Sequence, residues 1–152
     1  MAATAWQLYN SAKKYIGNGT ITLGAGVFKM VLAQTASNAS TFTLSTYASV
    51  TNEIAAAGGY VTGGRNLVPA TAQWETGASA KQMKFTMSSV GLAFTASGAS
   101  MVNIRYAILR NSTGADAGKL LCFCQLSTSE FTVTSPNTLT VLPAATGIFT
   151  LT

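Results

Sequence analysis

The chain consists of short apolar runs separated at regular intervals by glycine and small polar residues. The runs with strand character are 20–23, 27–32, 60–62, 67–74, 82–94, 101–109, 119–126, 131–133, 139–141 and 148–151. About eight to ten short strands with turn signals between them are typical of an antiparallel β-sandwich or jelly roll. They do not fit a parallel α/β sheet, and 152 residues are enough for only one substantial domain. We therefore expect a mainly β, single-domain fold.

The clearest local signal is a hairpin around residues 111–118. This segment, Asn-Ser-Thr-Gly-Ala-Asp-Ala-Gly, contains residues that favour turns and separates two apolar runs. Such a segment between two β-rich runs predicts that Met101–Leu109 and Lys119–Leu126 pair as antiparallel neighbours.

The N-terminal segment has a different period. From Thr4 to Ile16 the apolar residues recur at roughly helical spacing, and Gly17 stands where a helix would end. The sequence therefore predicts a short helical arm over residues 1–18, followed by a β-sandwich domain over residues 19–152.

This predicted arm is also the candidate contact surface for a partner. It combines three aromatic residues with two lysines and has no acidic residue: Trp6, Tyr9, Lys13, Lys14 and Tyr15. Aromatic side chains dominate interface energies when they fill pockets, and lysines can steer a segment toward an acidic surface. The alternative is that the helix closes one end of the sandwich, with Trp6 as an ordinary core residue.

The composition limits the possible partners. Charged residues make up 9% of the chain against roughly 25% in typical soluble domains, and hydrophobic residues make up 48%. No apolar run approaches the roughly 20 residues of a membrane span. The net charge of +5 comes from basic residues scattered along the chain, so nucleic-acid binding is not expected. The first residues lack the features of a secretory signal, which predicts synthesis in a cytoplasm.

The residues needed for common catalytic chemistry are missing. The chain has no histidine, which excludes Ser-His-Asp and Cys-His catalysis and His-ligated zinc. Its four acidic residues are widely separated in sequence. Cys122 and Cys124 lie on one face of a predicted strand, where two parallel side chains suit buried thiols better than a disulfide. We expect no enzyme activity, no metal and no cofactor.

Several segments together resemble a known group of proteins. These are the aromatic N-terminal helix, the strand 27–32 (Val-Phe-Lys-Met-Val-Leu), the segment 52–64 (Asn-Glu-Ile-Ala-Ala-Ala-Gly-Gly-Tyr-Val-Thr-Gly-Gly), 94–98 (Phe-Thr-Ala-Ser-Gly) and 104–109 (Ile-Arg-Tyr-Ala-Ile-Leu). The order of these segments resembles small virion structural proteins of tailed bacteriophages and prophages. It is most similar to the β-sandwich or jelly-roll proteins that decorate and cement capsids.

The resemblance implies a non-enzymatic virion protein that is made in the bacterial host cytoplasm, forms homo-oligomers and binds the major capsid protein. It implies no active site, no cofactor and no small-molecule substrate. A low charge content agrees with this role, because few charges would be desolvated in large permanent interfaces. Two alternatives stay open: a tail or fibre module that contacts the host surface, and a carbohydrate-binding β-sandwich domain that uses Trp6 and Trp74 for stacking.

Overall fold

The computed structural model describes residues 3–79 and 81–152. The fold is mainly β, with antiparallel sheets and one short helix near the N-terminus, as the sequence predicts. The helix α1 spans Asn10–Gly17, and 3₁₀ turns cover Tyr47–Ser49 and Gly114–Asp116. The strands are β1 (Gln7–Leu8), β2 (Phe28–Ala33), β3 (Arg65–Asn66), β4 (Pro69–Thr76), β5 (Met83–Met87), β6 (Leu92–Thr95), β7 (Met101–Ile104), β8 (Tyr106–Asn111), β9 (Leu120–Gln125), β10 (Phe131–Val133), β11 (Thr138–Val141) and β12 (Phe149–Leu151).

The strands form two larger sheets and two strand pairs. The five-stranded sheet has the order β1-β9-β8-β2-β3, and the three-stranded sheet has the order β12-β5-β4. The two remaining pairs are β10 with β7 and β11 with β6. All pairings between these strands are antiparallel.

The core between the two larger sheets is aromatic. Phe28 on β2 meets Phe85 on β5 edge-on, with ring centroids 5.0 Å apart, and Phe149 on β12 stacks on Phe85 at 5.3 Å. All three side chains are buried. The five-stranded and three-stranded sheets therefore pack on each other in a sandwich-like arrangement.

The opposite face of the five-stranded sheet is also covered. Phe123 on β9 contacts the ring of Tyr9 at 5.0 Å and the ring of Phe42 at 5.4 Å. The long segment between β2 and β3 holds this cover in place, because Ile54 donates a backbone hydrogen bond to Leu32 along the edge of β2. Buried residues on both faces explain why β2, β8 and β9 are nearly continuous apolar runs.

The predicted hairpin is confirmed for its part nearest the turn, whereas the predicted strand Met101–Leu109 is divided, because Met101–Ile104 forms β7 and pairs with β10. β8 and β9 pair antiparallel over the partners 106–110 and 120–125, and the turn between them contains the residues with turn chemistry. Asn111 closes the turn, since its side-chain amide donates to the carbonyl oxygens of Thr113 and Asp116. This element was predictable because its signal is local.

The predicted helix over Thr4–Ile16 is wrong in its first half. Residues Gln7–Leu8 form strand β1 on the edge of β9, and the helix begins only at Asn10. Thr4 extends this pairing, because its N–H donates to the Gln125 carbonyl at 2.9 Å. An open sheet edge offers backbone hydrogen bonds that a weak helical preference over a few residues does not outweigh.

Four other sequence predictions need correction. Residues 60–62, predicted as a strand, lie in the loop before β3. Residues 20–23 form a turn and not the first strand of a hairpin with β2. The predicted helical turns in 44–57 reduce to the 3₁₀ turn Tyr47–Ser49. The run 82–94 is not one strand: a turn at Gly91, whose φ is +73°, sends β5 and β6 into different sheets. Glycine tolerates this left-handed conformation, which most residues avoid.

Candidate functional site

Polar and titratable side chains converge at Glu53. Its carboxylate accepts hydrogen bonds from the hydroxyl of Tyr47, from the hydroxyl of Tyr60 at 2.6 Å and from the N–H of Gly63 at 2.7 Å. Arg110 on β8 completes the group, because its Nη2 donates to the Gly63 carbonyl at 2.8 Å. We call these five residues the Glu53 network.

The network is tied to the sheet at two points. The Tyr60 hydroxyl also accepts the N–H of Leu32 at 3.1 Å, and the guanidinium carbon of Arg110 lies 4.5 Å from the centre of the Tyr47 ring. Burial, followed by the hydrogen bond to Glu53, raises the pKa of Tyr47 to about 12. The same two causes, in the same order, raise the pKa of Tyr60. Both tyrosines therefore keep their protons at neutral pH and serve as hydrogen-bond donors.

The chemistry of the Glu53 network is that of a structural clamp. The carboxylate has three donors on its two oxygens, and its tyrosine neighbours are held as neutral phenols. A glycine of the segment 52–64 allows the loop that carries this network to lie against the sheet. A side chain at Gly64 would meet the backbone of Met30 on β2, so the loop lies directly on the sheet. The residues of segment 52–64 therefore have a structural role, which is to pack the loop against the sheet.

The other acidic residues lie apart from Glu53. Glu75 forms an ion pair with Lys84 at 3.1 Å across β4 and β5, and the carboxylate of Glu130 accepts the N–H of Thr35 at 2.7 Å. Asp116 lies in the 3₁₀ turn of the β8–β9 hairpin. Within residues 3–79 and 81–152, no group of three or more His, Cys, Asp or Glu could hold a metal ion.

The two cysteines are free and buried, as the sequence predicts. Burial raises the pKa of Cys124 to about 12 and also raises the pKa of the Cys122 thiol. A thiol with a raised pKa is a poor nucleophile at neutral pH, because the thiolate is the reactive form. Cys122 and Cys124 are small apolar core residues of β9.

The predicted contact residues of the N-terminal segment differ in their exposure to solvent. Tyr9 is 0% exposed, and its hydroxyl donates to the Ala39 carbonyl at 2.6 Å, so it cannot be an exposed anchor. Tyr15 is half-buried, with the ammonium of Lys119 at 5.1 Å from its ring centre. Tyr9 therefore belongs to the core and is removed from the predicted set of contact residues.

Four of the five predicted residues are at least partly exposed, Tyr15 among them. Lys13 and Lys14 are exposed on α1, and Trp6 is half-buried before β1. Trp6 and Lys13 line the same groove, whose volume is about 540 Å³. Phe42, which is 44% exposed, lines the groove as well. We call this feature the edge groove, because residues of two edge strands, β1 and the C-terminal β12, line it.

Sequence reasoning missed Phe42 and β12 as parts of this groove. One signal for Phe42 was present: it is a lone aromatic residue between threonines in a segment of small polar residues. No local signal connects β12 with β1, since they lie at opposite ends of the chain.

The helices in the described part of the chain are too short and too polar for any of them to span a membrane.

Comparison of the chain with protein-family models, curated proteins and solved structures found no match. The resemblance to phage virion proteins therefore depends on the residues quoted for it above.

Proposed function

We propose that the protein is a non-enzymatic structural protein of a tailed-phage virion that decorates and cements the capsid. The observation that carries the proposal is the character of the described surface, which combines few charges with large exposed apolar side chains. These are Val27, Phe42, Val61, Val68, Val90, Val102 and Leu142, with exposed fractions from 41% to 70%.

Two of these side chains belong to neighbouring segments. Val90 is 70% exposed in the turn before β6, and Leu142 is 58% exposed after β11. The segments are close, since a side chain at Gly91, the residue after Val90, would lie 2.7 Å from the Leu142 side chain. Apolar groups with few charges around them are typical of interface cores, where charged residues are depleted.

A cement protein acts by selective binding. If it binds the assembled shell and not the free subunits, it stabilises the shell by mass action. Neutral polar and apolar contacts suit this task, because burying an unpaired charge in a permanent interface costs several kcal/mol. In this proposal the partners are other copies of the protein and the major capsid protein, and the protein resides in the virion after synthesis in the host cytoplasm.

The experiment is to locate the protein in particles. Phage particles induced from the strain that carries the gene are purified on a density gradient, and a tagged copy is detected by mass spectrometry and by gold labelling in electron micrographs. Labelling across the head in many copies supports the proposal. Labelling at the tail supports the tail or fibre alternative. Absence from the particles contradicts both.

The carbohydrate-binding alternative is tested separately on a glycan array. The structure provides a half-buried Trp6 and a half-buried Trp74 as possible stacking residues. Binding to a glycan that Trp6→Ala or Trp74→Ala abolishes, together with absence from particles, would favour the lectin-like role over the virion role.

A further inference from the structure

The edge groove lies between two strands that each have an unused edge. β1 pairs with β9 along one edge, and β12 pairs with β5 along one edge. Neither strand has a strand partner on its other edge within the described part of the chain. Residues 5–8, in and before β1, and residues 148–150, at the start of β12, line the groove together.

The backbone of β1 presents hydrogen-bonding groups away from β9. The N–H of Tyr9 donates to the Leu121 carbonyl, so residues 9 and 121 form a hydrogen-bonded pair of the ladder. Hydrogen-bonded and non-hydrogen-bonded pairs alternate in an antiparallel ladder, which makes Leu8 and Cys122 a non-bonded pair. The N–H and C=O of Leu8 therefore point away from β9, and such groups are a template for pairing with another strand. The next outward N–H, that of Asn10, already donates to the Phe42 carbonyl at 3.0 Å, so the available edge ends at Leu8.

The side chains of the groove define what kind of strand would fit. Trp6, Leu8 and Phe42 give it apolar contacts, and the exposed Lys13 is the one charged residue in its lining. An extended segment that alternates apolar and small residues would place every second side chain beside Trp6 and Leu8. An acidic side chain in that segment would be complementary to Lys13.

We propose that the edge groove binds an extended, acid-bearing segment of another protein by β-strand addition. The incoming strand pairs with the backbone of Leu8, places apolar side chains beside Trp6 and Leu8, and places a carboxylate near Lys13. This mode of recognition takes affinity from main-chain hydrogen bonds and specificity from the side-chain contacts. It rests on the proposed function only for the identity of the partner as a virion protein.

The test uses the full chain carrying Trp74→Phe, so that Trp6 is the only tryptophan and reports on the groove. The probe is the capped hexapeptide Thr-Val-Glu-Val-Thr-Val, titrated while Trp6 fluorescence is recorded. We expect saturable binding that changes the Trp6 emission. Replacing the second of the three valines, at peptide position 4, by Pro removes a backbone donor and fixes φ. This change should weaken binding about tenfold or more.

A matched pair of protein variants tests the charge contact. Lys13→Glu and Lys14→Glu make the same change on neighbouring exposed positions of α1, but only Lys13 lines the groove. We expect Lys13→Glu to weaken binding about threefold to tenfold and Lys14→Glu to change it less than about twofold. A peptide with Lys in place of Glu should reverse the preference and bind Lys13→Glu more tightly.

Four outcomes would overturn the inference: no binding up to about 1 mM peptide, equal binding of the proline peptide, equal effects of the two lysine variants, or dimers in sedimentation that Trp6→Ala or Lys13→Glu dissociates. The last outcome would mean that a second copy of the protein occupies the groove.

The peptide result is independent of the particle experiment. A protein found in particles that does not bind the peptide loses this inference only, and a peptide-binding protein absent from particles loses the virion role only.

Discussion

Gly64 gives the sharpest test of the conclusion that segment 52–64 is a packing device. It lies in a turn with φ +81°, and a Cβ built there would clash with the Met30 carbonyl oxygen, lie 2.7 Å from the carbonyl carbon of Met30 and 3.0 Å from the Cα of Val31. These atoms belong to the backbone of β2, which is paired with β8 over six residues and cannot move aside easily. Gly64→Ala therefore adds both conformational strain and a clash.

The size of the effect follows from a comparison with Gly98. Gly98 has a similar φ of +73°, but a Cβ there would have no atom within 4 Å. Gly98→Ala should cost only the left-handed strain, about 1–2 kcal/mol. Gly64→Ala should cost that strain and a further penalty of about 1–3 kcal/mol for the overpacked contact, about 2–5 kcal/mol in all. Many domains have only about 5–15 kcal/mol of stability, so the larger loss approaches complete unfolding.

The assay is equilibrium unfolding in urea, followed by tryptophan fluorescence and far-ultraviolet circular dichroism. Both variants should shift the midpoint without changing the slope of free energy against denaturant, because neither changes the surface that unfolding exposes. The difference between the two variants measures the contact with β2. If Gly64→Ala is no more destabilising than Gly98→Ala within about 0.5 kcal/mol, the close approach of the loop to β2 is refuted.

Three further predictions concern the core and the Glu53 network. Tyr9→Phe should lower the free energy of unfolding by about 1–3 kcal/mol, because the buried Ala39 carbonyl loses its donor. The control is Tyr15→Phe at a half-buried position, which should change the free energy of unfolding by less than about 0.5 kcal/mol. The folded state raises the pKa of Tyr47 from 10.0 to about 12, so its contribution to stability is present below pH 10 and is lost as the pH rises through 12. An alkaline unfolding series should show a smaller loss in Tyr47→Phe. Cys122 and Cys124 should react with a thiol reagent at pH 8 only after unfolding, since both are buried.

Each of these predictions has a result that contradicts it. Equal destabilisation by Tyr9→Phe and Tyr15→Phe would remove the argument for the Ala39 hydrogen bond. A slope between pH 10 and 12 that is unchanged in Tyr47→Phe would assign the alkaline loss to other groups, with Tyr9 and Tyr60 as candidates because burial raises the pKa of both. Labelling of either cysteine in the native protein faster than unfolding would show that β9 is accessible.

Features with a local cause could be predicted from the sequence. The β8–β9 hairpin follows from the turn chemistry of 111–118, and the mainly β class follows from the spacing of the apolar runs. The buried state of Cys122 and Cys124 follows from their position in an apolar strand. In each case the residues that decide the outcome lie within one or two neighbouring elements.

Features that depend on distant partners could not be predicted. The Glu53 network takes Tyr47, Tyr60 and Gly63 from one long loop and Arg110 from a strand much later in the chain. Nothing in the spacing of these residues marks them as neighbours. The edge groove likewise needs β1 and β12, which come together only because the two larger sheets pack face to face.

The N-terminal segment shows how far tertiary pairing changes a local interpretation, and it leads to the last prediction. The helical periodicity of residues 4–16 predicts an arm that precedes the β-sandwich domain, and such an arm could be removed without unfolding the domain. In the structure the same residues contribute strand β1 to the five-stranded sheet and place Tyr9 and Ala12 in the core, both 0% exposed. Deleting residues 2–16 would therefore expose the edge of β9 and leave a cavity beside Phe123.

Loss of a buried aromatic side chain alone costs about 3–5 kcal/mol, and the lost β1 pairing adds to it. The total reaches the lower limit of the stability of a typical domain, so the truncated chain should show no cooperative thermal transition by circular dichroism. The control is a chain lacking only residues 2 and 3, which keeps Thr4 and its hydrogen bond to Gln125 and should melt cooperatively. A cooperative transition in the longer deletion would mean that β1 and Tyr9 contribute little to the fold. The detachable arm would then be the better description, and loss of particle binding in that variant could be assigned to the arm itself.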